Sequence, residues 1–267
     1  MSKHIGFQNK LSSFQIIILG FAGVIVLGAL LLMLPISTQN GAVTPFSKTL
    51  FTATSAVCVT GLVVFDTASY WSGFGQLIIL IMIQIGGLGV ISVASFLSML
   101  AGRKISLMQR QTMQNALSAP QMGGIVKLTR FIFLVSFAIE GIGALLLMPV
   151  FMTKYGIRGI WMAVFHSVSA FCNAGFDLMG NQTGQYSSLT SFAGSGYVTL
   201  VICLLIMIGG IGFLTWKDIA VKKTRFKEYS MQTKVILVTT AILIVIPAVF
   251  FFFSDFANEP LKDRICM

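Results

Sequence analysis

Uncharged, mostly apolar runs divide the chain into five long stretches and two short ones. Phe14 to Leu34, Gly73 to Leu100, Gly196 to Trp216 and Val235 to Phe253 contain no Asp, Glu, Lys or Arg, and Phe131 to Val150 is broken only by Glu140. Each is close to or longer than the roughly 20 residues that cross a hydrocarbon core as a helix. The first run is too long for the 7–15-residue core of a signal peptide, and no small-residue cleavage site follows Met33-Leu-Pro35, so it reads as a retained span. The short stretches lie between the spans. Pro45 through Cys58 is too short to cross and too apolar for an ordinary loop, and Pro45 is well placed to open a helix. Such a helix enters the membrane, stops midway and turns back.

This short segment occurs twice. Leu50-Phe-Thr-Ala-Thr-Ser-Ala-Val-Cys-Val-Thr-Gly-Leu62 aligns without a gap on Val164-Phe-His-Ser-Val-Ser-Ala-Phe-Cys-Asn-Ala-Gly-Phe176. A second echo follows each copy, Ile83-Gln-Ile-Gly-Gly-Leu-Gly89 and Ile206-Met-Ile-Gly-Gly-Ile-Gly212. The repeating unit is a span, a short re-entrant helix ending near a glycine, and a second span, written M1–P–M2. The expected fold is an all-α polytopic membrane protein. Residues 1–100 form a first repeat, 101–127 a cytoplasmic connection, 128–216 a second repeat, 217–234 another connection, and 235–267 the first helix of a truncated third repeat.

Composition agrees with that reading: hydrophobic residues make up 56% of the chain and charged residues 10%. Thirteen of the eighteen Lys and Arg fall in three places: the N-terminal segment (Lys3, Lys10), the connection between the second and third spans (Arg103, Lys104, Arg110, Lys127, Arg130), and that between the fourth and fifth (Lys217, Lys222, Lys223, Arg225, Lys227, Lys234). The opposite side holds Lys48, Lys154, Arg158, Lys262 and Arg264. The positive-inside rule therefore puts the N-terminus in the cytoplasm of a cell membrane. The net charge of +10 thus has a topological cause and no nucleic-acid partner is expected. Two complete crossings per unit make the repeats parallel. That parity disfavours a transporter that rocks inverted repeats and suits a pore ringed by equivalent units.

The chemistry follows from the re-entrant tips. A half-helix descending from outside points carbonyls with about half a negative charge inward, which favours a cation. Gly61 and Gly175 permit the backbone to turn back, and the carbonyls of Val59-Thr60-Gly61 and Asn173-Ala174-Gly175 can replace the hydration shell of a dehydrated ion. The plainer alternative makes them tight turns capping buried half-helices. Asp66 and Asp177 follow the glycines as candidate outer-mouth charges, with solvated loops as the alternative. Glu140 is either an intramembrane coupling residue or a hydrogen-bonded structural one. His166, opposite Thr52 in the repeat, suggests packing and a hydrogen bond; no second ligand stands at metal spacing. The Gly-Gly-x-Gly clusters serve either as hinges or as close helix contacts, and close contact is the commoner use. Cys58, Cys172, Cys203 and Cys266 show no CxxC spacing and imply neither disulfide framework nor metal. No nucleophile–base pair or carboxylate dyad points to an enzyme.

Thr54-Ser-Ala-Val-Cys-Val-Thr-Gly-Leu62, Gln84-Ile-Gly-Gly-Leu-Gly89, Ser169-Ala-Phe-Cys-Asn-Ala-Gly-Phe176 and Gly209-Gly-Ile-Gly212 resemble the first two repeats of the Trk/Ktr/HKT superfamily of potassium transporters, nearest the membrane subunit of the Ktr systems. The resemblance implies a potassium-translocating subunit of a bacterial plasma membrane, with four such repeats around one pore and one filter glycine in each. It further implies a homodimer, a cytosolic ring of RCK-type nucleotide-binding regulatory subunits, and sodium as an activator. No covalently bound cofactor is expected. Only Gly61 and Gly175 of the filter glycines have counterparts here. The chain ends at Asn258-Glu-Pro-Leu-Lys-Asp-Arg-Ile-Cys-Met267, before any third or fourth filter segment, so it reads either as a fragment or as a half that must pair to enclose a pore. The alternative functions are a non-conducting fragment that associates with full-length subunits and another monovalent-cation transporter.

Overall fold

The computed structural model describes residues 12–102, 105–117 and 123–254. Lys3, Lys10, Arg103, Lys104, Lys262, Arg264, Cys266 and the closing stretch from Asn258 lie outside the described residues. Twelve α-helices and no named strand occur among those described: α1 Ser13–Leu32, α2 Phe46–Val57, α3 Thr67–Tyr70, α4 Gly73–Leu88, α5 Val90–Leu100, α6 Leu107–Ala116, α7 Ile125–Tyr155, α8 Arg158–Phe171, α9 Gly180–Thr183, α10 Gly196–Gly210, α11 Phe213–Lys222 and α12 Met231–Phe253.

Local chemistry sets the helix ends. Ser12 and Gln15 form a reciprocal capping box at the start of α1. Three helices, α1, α7 and α12, are long and apolar enough to cross a membrane unbroken. Their outward faces carry Leu27, Leu30, Leu145, Leu243 and Phe250, all exposed, a surface that suits lipid. Lipid tails are as apolar as these side chains, so the helices cohere through close packing and polar ties. Within the first repeat α1 and α4 clasp α2; within the second, α7 and α10 clasp α8. The two repeats meet where α4 packs on α8, over a core that includes Ile79, Ile83, Phe165 and Phe171.

The second span of each repeat differs from expectation. Gly73 to Leu100 and Gly196 to Trp216 read as single spans, but the chain turns by 100° between α4 and α5 and by 97° between α10 and α11. The residues at the breaks are Gly89, with φ +84°, and Gly212, with φ +91°, the left-handed region that glycine enters without a Cβ penalty. Hydropathy runs on unchanged through both bends, so the pattern of apolar residues cannot show them. Before its bend α4 is 16 residues long, roughly 24 Å at the usual rise.

Beyond the second bend, outside the spanning legs, Asp218 ties α11 to the start of α12. It accepts hydrogen bonds from Ser230 N (2.9 Å) and Thr233 Oγ1 (2.9 Å) and pairs with Lys222 at 3.0 Å. Burial raises this carboxyl, but the donors of Ser230, Lys222 and Thr233 outweigh it and hold the group well below the ordinary carboxylate range. Its contribution to stability is therefore present above the unfolded value of about 3.9 and is lost as pH falls through the lowered folded-state value.

Candidate ion-coordinating site

The two short helices end in the same motif. Pro45 sits at the N-cap of α2, where its carbonyl accepts from Lys48 N and Thr49 N. With 12 and 14 residues, α2 and α8 reach roughly 18 and 21 Å, less than a hydrocarbon core of about 30 Å. At the end of α2, Thr60 N donates to Ser55 O (3.0 Å) and Val59 N to Ala56 O (3.4 Å). At the end of α8, Ala174 N donates to Ser169 O (2.8 Å) and Asn173 N to Ala170 O (3.0 Å). These are paired Schellman caps. Four helix-end carbonyls are thereby used internally, which leaves the carbonyls further along each segment as candidates for a ligand.

A Schellman cap needs a left-handed residue, usually glycine. Here the position is held by Val59 and Asn173, both at φ +57°. Asparagine tolerates that region, whereas a β-branched residue there is an outlier costing on the order of 1–3 kcal/mol. Gly61 and Gly175 follow at φ +73° and +72°. The two segments touch: a Cβ built on Gly61 would lie 2.8 Å from the Ala174 carbonyl oxygen, and one on Gly175 would lie 3.4 Å from Gly61 Cα. Thus the structure brings Val59, Thr60, Gly61, Asn173, Ala174 and Gly175 together, with Thr60, Asn173 and Gly175 exposed and Ala174 buried.

The first glycine of each Gly-Gly-x-Gly cluster makes room for a pore-helix end. A Cβ on Gly86 would meet Val57 O at 2.1 Å, and one on Gly209 would meet Phe171 O at 1.8 Å. Close approach and bending, read from sequence as rival uses, are divided between the first and last glycines of the same cluster.

Of the other candidates, Glu140 is buried in α7, its Oε1 accepting from Gln84 Nε2 on α4 (2.8 Å) and its backbone carbonyl from Ser167 Oγ on α8 (2.7 Å). It joins the two repeats at membrane depth. Asp66, a candidate outer-mouth charge with a solvated loop as the alternative, is buried, and its carboxylate is occupied. Oδ1 accepts from Ser69 N and Oγ, both at 2.8 Å, and Oδ2 from Tyr186 N at 3.0 Å. It caps α3 and staples the first repeat to the loop after α9 in the second. Asp177 is half-buried, with Oδ1 accepting from Met179 N at 2.8 Å. Asn181 Nδ2 donates to Ala68 O (2.6 Å), and Trp161 Nε1 donates to Gln76 Oε1 (2.9 Å), adding further ties between the repeats. Gln84, Tyr186 and Gln76 were not singled out as site residues by sequence, because their partners stand 56 or more positions away. Cys58, Cys172 and Cys203 are free thiols, and no group of three metal-ligating side chains occurs among the described residues.

Comparison with known proteins gives concordant results. Residues 3–250 match the TrkH family, described as cation transport protein. The chain is 41% identical over 239 residues to the potassium/sodium uptake protein NtpJ of Enterococcus hirae, covering 89% of this chain and 51% of that protein. It is 42% identical over 247 residues to the Ktr system potassium uptake protein B of Bacillus subtilis, covering 91% and 53% respectively. The Ktr system potassium uptake protein D of the same organism is 33% identical over 261 residues, 96% of this chain and 57% of its own. The chain spans about half the length of the curated relatives it matches.

Proposed function

The chain belongs to the TrkH family of cation transport proteins, and on that premise we propose that it supplies two of the units that line a potassium-conducting pore in a bacterial plasma membrane. The observation that carries this reading is the contact between two identically capped re-entrant ends, with left-handed residues at the same two positions of each. Backbone carbonyls of Val59, Thr60, Gly61, Asn173, Ala174 and Gly175 take the place of an ion's hydration shell. One glycine per segment, against the two of a TVGYG loop, makes potassium preferred over sodium less strictly than in a potassium channel. Glu140, with Gln84, is the candidate for coupling to sodium as activator; Asp177, beside the filter and half-buried, is the stronger outer-mouth candidate of the two aspartates. The N-terminus is cytoplasmic by the distribution of basic residues.

Two repeats form half of the ring that the family resemblance implies, and an open arc of carbonyls facing lipid costs several kcal/mol per unsatisfied group. In a bacterial strain lacking potassium uptake, residues 1–267 expressed alone should not restore growth on low potassium. The same residues continued by the downstream half of the Bacillus subtilis Ktr protein B should restore it. Growth with residues 1–267 alone would mean that two halves close a conducting ring. No growth from the continued chain, present in the membrane at wild-type amounts, would count against the pore assignment.

A homodimer and a cytosolic ring of RCK-type nucleotide-binding subunits are the proposed partners, with the lipid bilayer. Lys223, Arg225 and Lys227 are exposed past α11 and form a basic docking point for an acidic surface of the ring. Neutralising Lys222, Lys223, Arg225 and Lys227 should lower co-purification of the ring several-fold. Full retention of the ring with impaired membrane association would assign the cluster to anionic lipid instead.

A further inference from the structure

His166 lies on α8 with only 2% of its surface exposed. Phe151 stacks on the ring at 5.2 Å between centroids, and Phe165 meets it edge-on at 6.3 Å. Nε2 stands 3.3 Å from Leu178 N, and Nδ1 stands 2.7 Å from Met162 O. A backbone N–H only donates, so Nε2 accepts and carries no proton; the proton is on Nδ1 and is donated to the Met162 carbonyl. Both ring nitrogens are satisfied in one neutral tautomer.

Leu178 is three residues past Gly175, so this bond fixes the chain as it leaves the second candidate filter segment. One turn along the same face of α8, Ser169 Oγ donates to Phe176 O at 2.6 Å. The second segment is thus held at two points after its glycine. The first repeat differs. Thr52 stands where His166 does, and its hydroxyl turns back to Lys48 O (3.0 Å), while Ser55, the counterpart of Ser169, bonds Thr60 Oγ1 (2.8 Å), before the glycine. The equivalent helices therefore grip their segments from opposite sides of the turn.

We propose that His166 is a positioning residue for the second filter segment: its Nε2, by holding Leu178 N–H, fixes the path of the chain after Gly175 and so the discrimination between potassium and sodium. The inference rests on the reading of Asn173 to Gly175 as filter. The ring does not touch the ion; it sets the spacing of the carbonyls that do.

Potassium and sodium uptake measured per amount of membrane-inserted native gene product tests this. His166→Asn keeps a donor near Met162 O but cannot reach Leu178, and His166→Thr installs the residue that the first repeat carries at this place. Both should lower the potassium-to-sodium uptake ratio about fivefold, the equivalent of one net buried hydrogen bond. His166→Gln, whose amide oxygen replaces Nε2 as acceptor, should stay within about twofold of wild type on the same scale. Where His166→Asn fails to accumulate, His166→Thr and His166→Gln carry the test between them; a wild-type ratio in His166→Thr, or an equal loss in His166→Gln, overturns the assignment. Gly175→Ser in the same assay separates the two levels. A wild-type ratio in that variant removes the filter reading itself, whereas a lowered ratio there beside an unchanged His166→Thr removes only the brace.

Discussion

In the chain continued by the downstream half of the Bacillus subtilis Ktr protein B, where the proposed pore is complete, Gly61→Ala should impair potassium transport and selectivity more severely than Gly175→Ala, although the two glycines are equivalent in the repeat. Both occupy the left-handed region, at φ +73° and +72°, where an alanine costs about 1–2 kcal/mol, or roughly fivefold to thirtyfold in a population. Their surroundings differ. The added methyl at 175 would meet Gly61 Cα at 3.4 Å, an ordinary contact. At 61 it would fall 2.8 Å from the Ala174 carbonyl oxygen, a backbone atom of the facing segment that cannot rotate away. Substitution at 61 therefore disturbs both segments, and substitution at 175 chiefly its own. Serine at either place should also admit more sodium and weaken apparent potassium affinity. Ion uptake over a potassium concentration series, with sodium as competitor, measures both; unchanged uptake of the two ions in both variants would rule out these residues as a filter.

The second large effect is expected at the clasp between the last leg of each repeat and its pore helix. Gly86→Ala and Gly209→Ala place a methyl 2.1 Å from Val57 O and 1.8 Å from Phe171 O. Neither oxygen belongs to a flexible side chain, so the helices must separate. Overpacking of this kind costs typically 1–3 kcal/mol and more where backbone is the obstacle. We expect both variants to lose thermal stability in detergent and most of their monodisperse yield. Gly87→Ala meets the Cys172 side chain and should be milder, and Gly23→Ala, with nothing within 4 Å, should behave as wild type. A Gly209→Ala protein with the melting temperature of wild type would show that the close approach is not needed.

Much of this architecture is readable from residue order because a membrane restricts the choices. The runs at Phe14–Leu34 and Val235–Phe253 correspond to α1 and α12 within a few residues, and the two re-entrant helices end where the doubled motif places them. What escapes the reading has physical causes. The turns at Gly89 and Gly212 interrupt helices without interrupting hydropathy, so the apolar pattern could not decide between a hinge and a close contact at either cluster. Val59 gives no hint of a left-handed conformation, since valine is among the residues least suited to it; only its alignment with Asn173 hints at one. Glu140 stands out as a lone carboxylate in an apolar run, but its partner Gln84 does not, because pairing across the repeats depends on how α4 and α7 are brought together. Asp66 is enclosed by a short helix that it caps and by an amide 120 positions away, partners that residue order does not reveal.

The two sharp bends make levers of the helices beyond them. With 11 and 10 residues, α5 and α11 are arms of roughly 15 Å, joined to the legs before them through Gly89 and through Ile211-Gly212. A rotation of about 20° at either joint carries the far tip on the order of 5 Å by the same helix geometry. At the opposite end the two repeats are stitched together through Asp66, Asn181 and Trp161. Such a lever ratio means that a small force on the end of α5 or α11 would be read out as ångströms of travel.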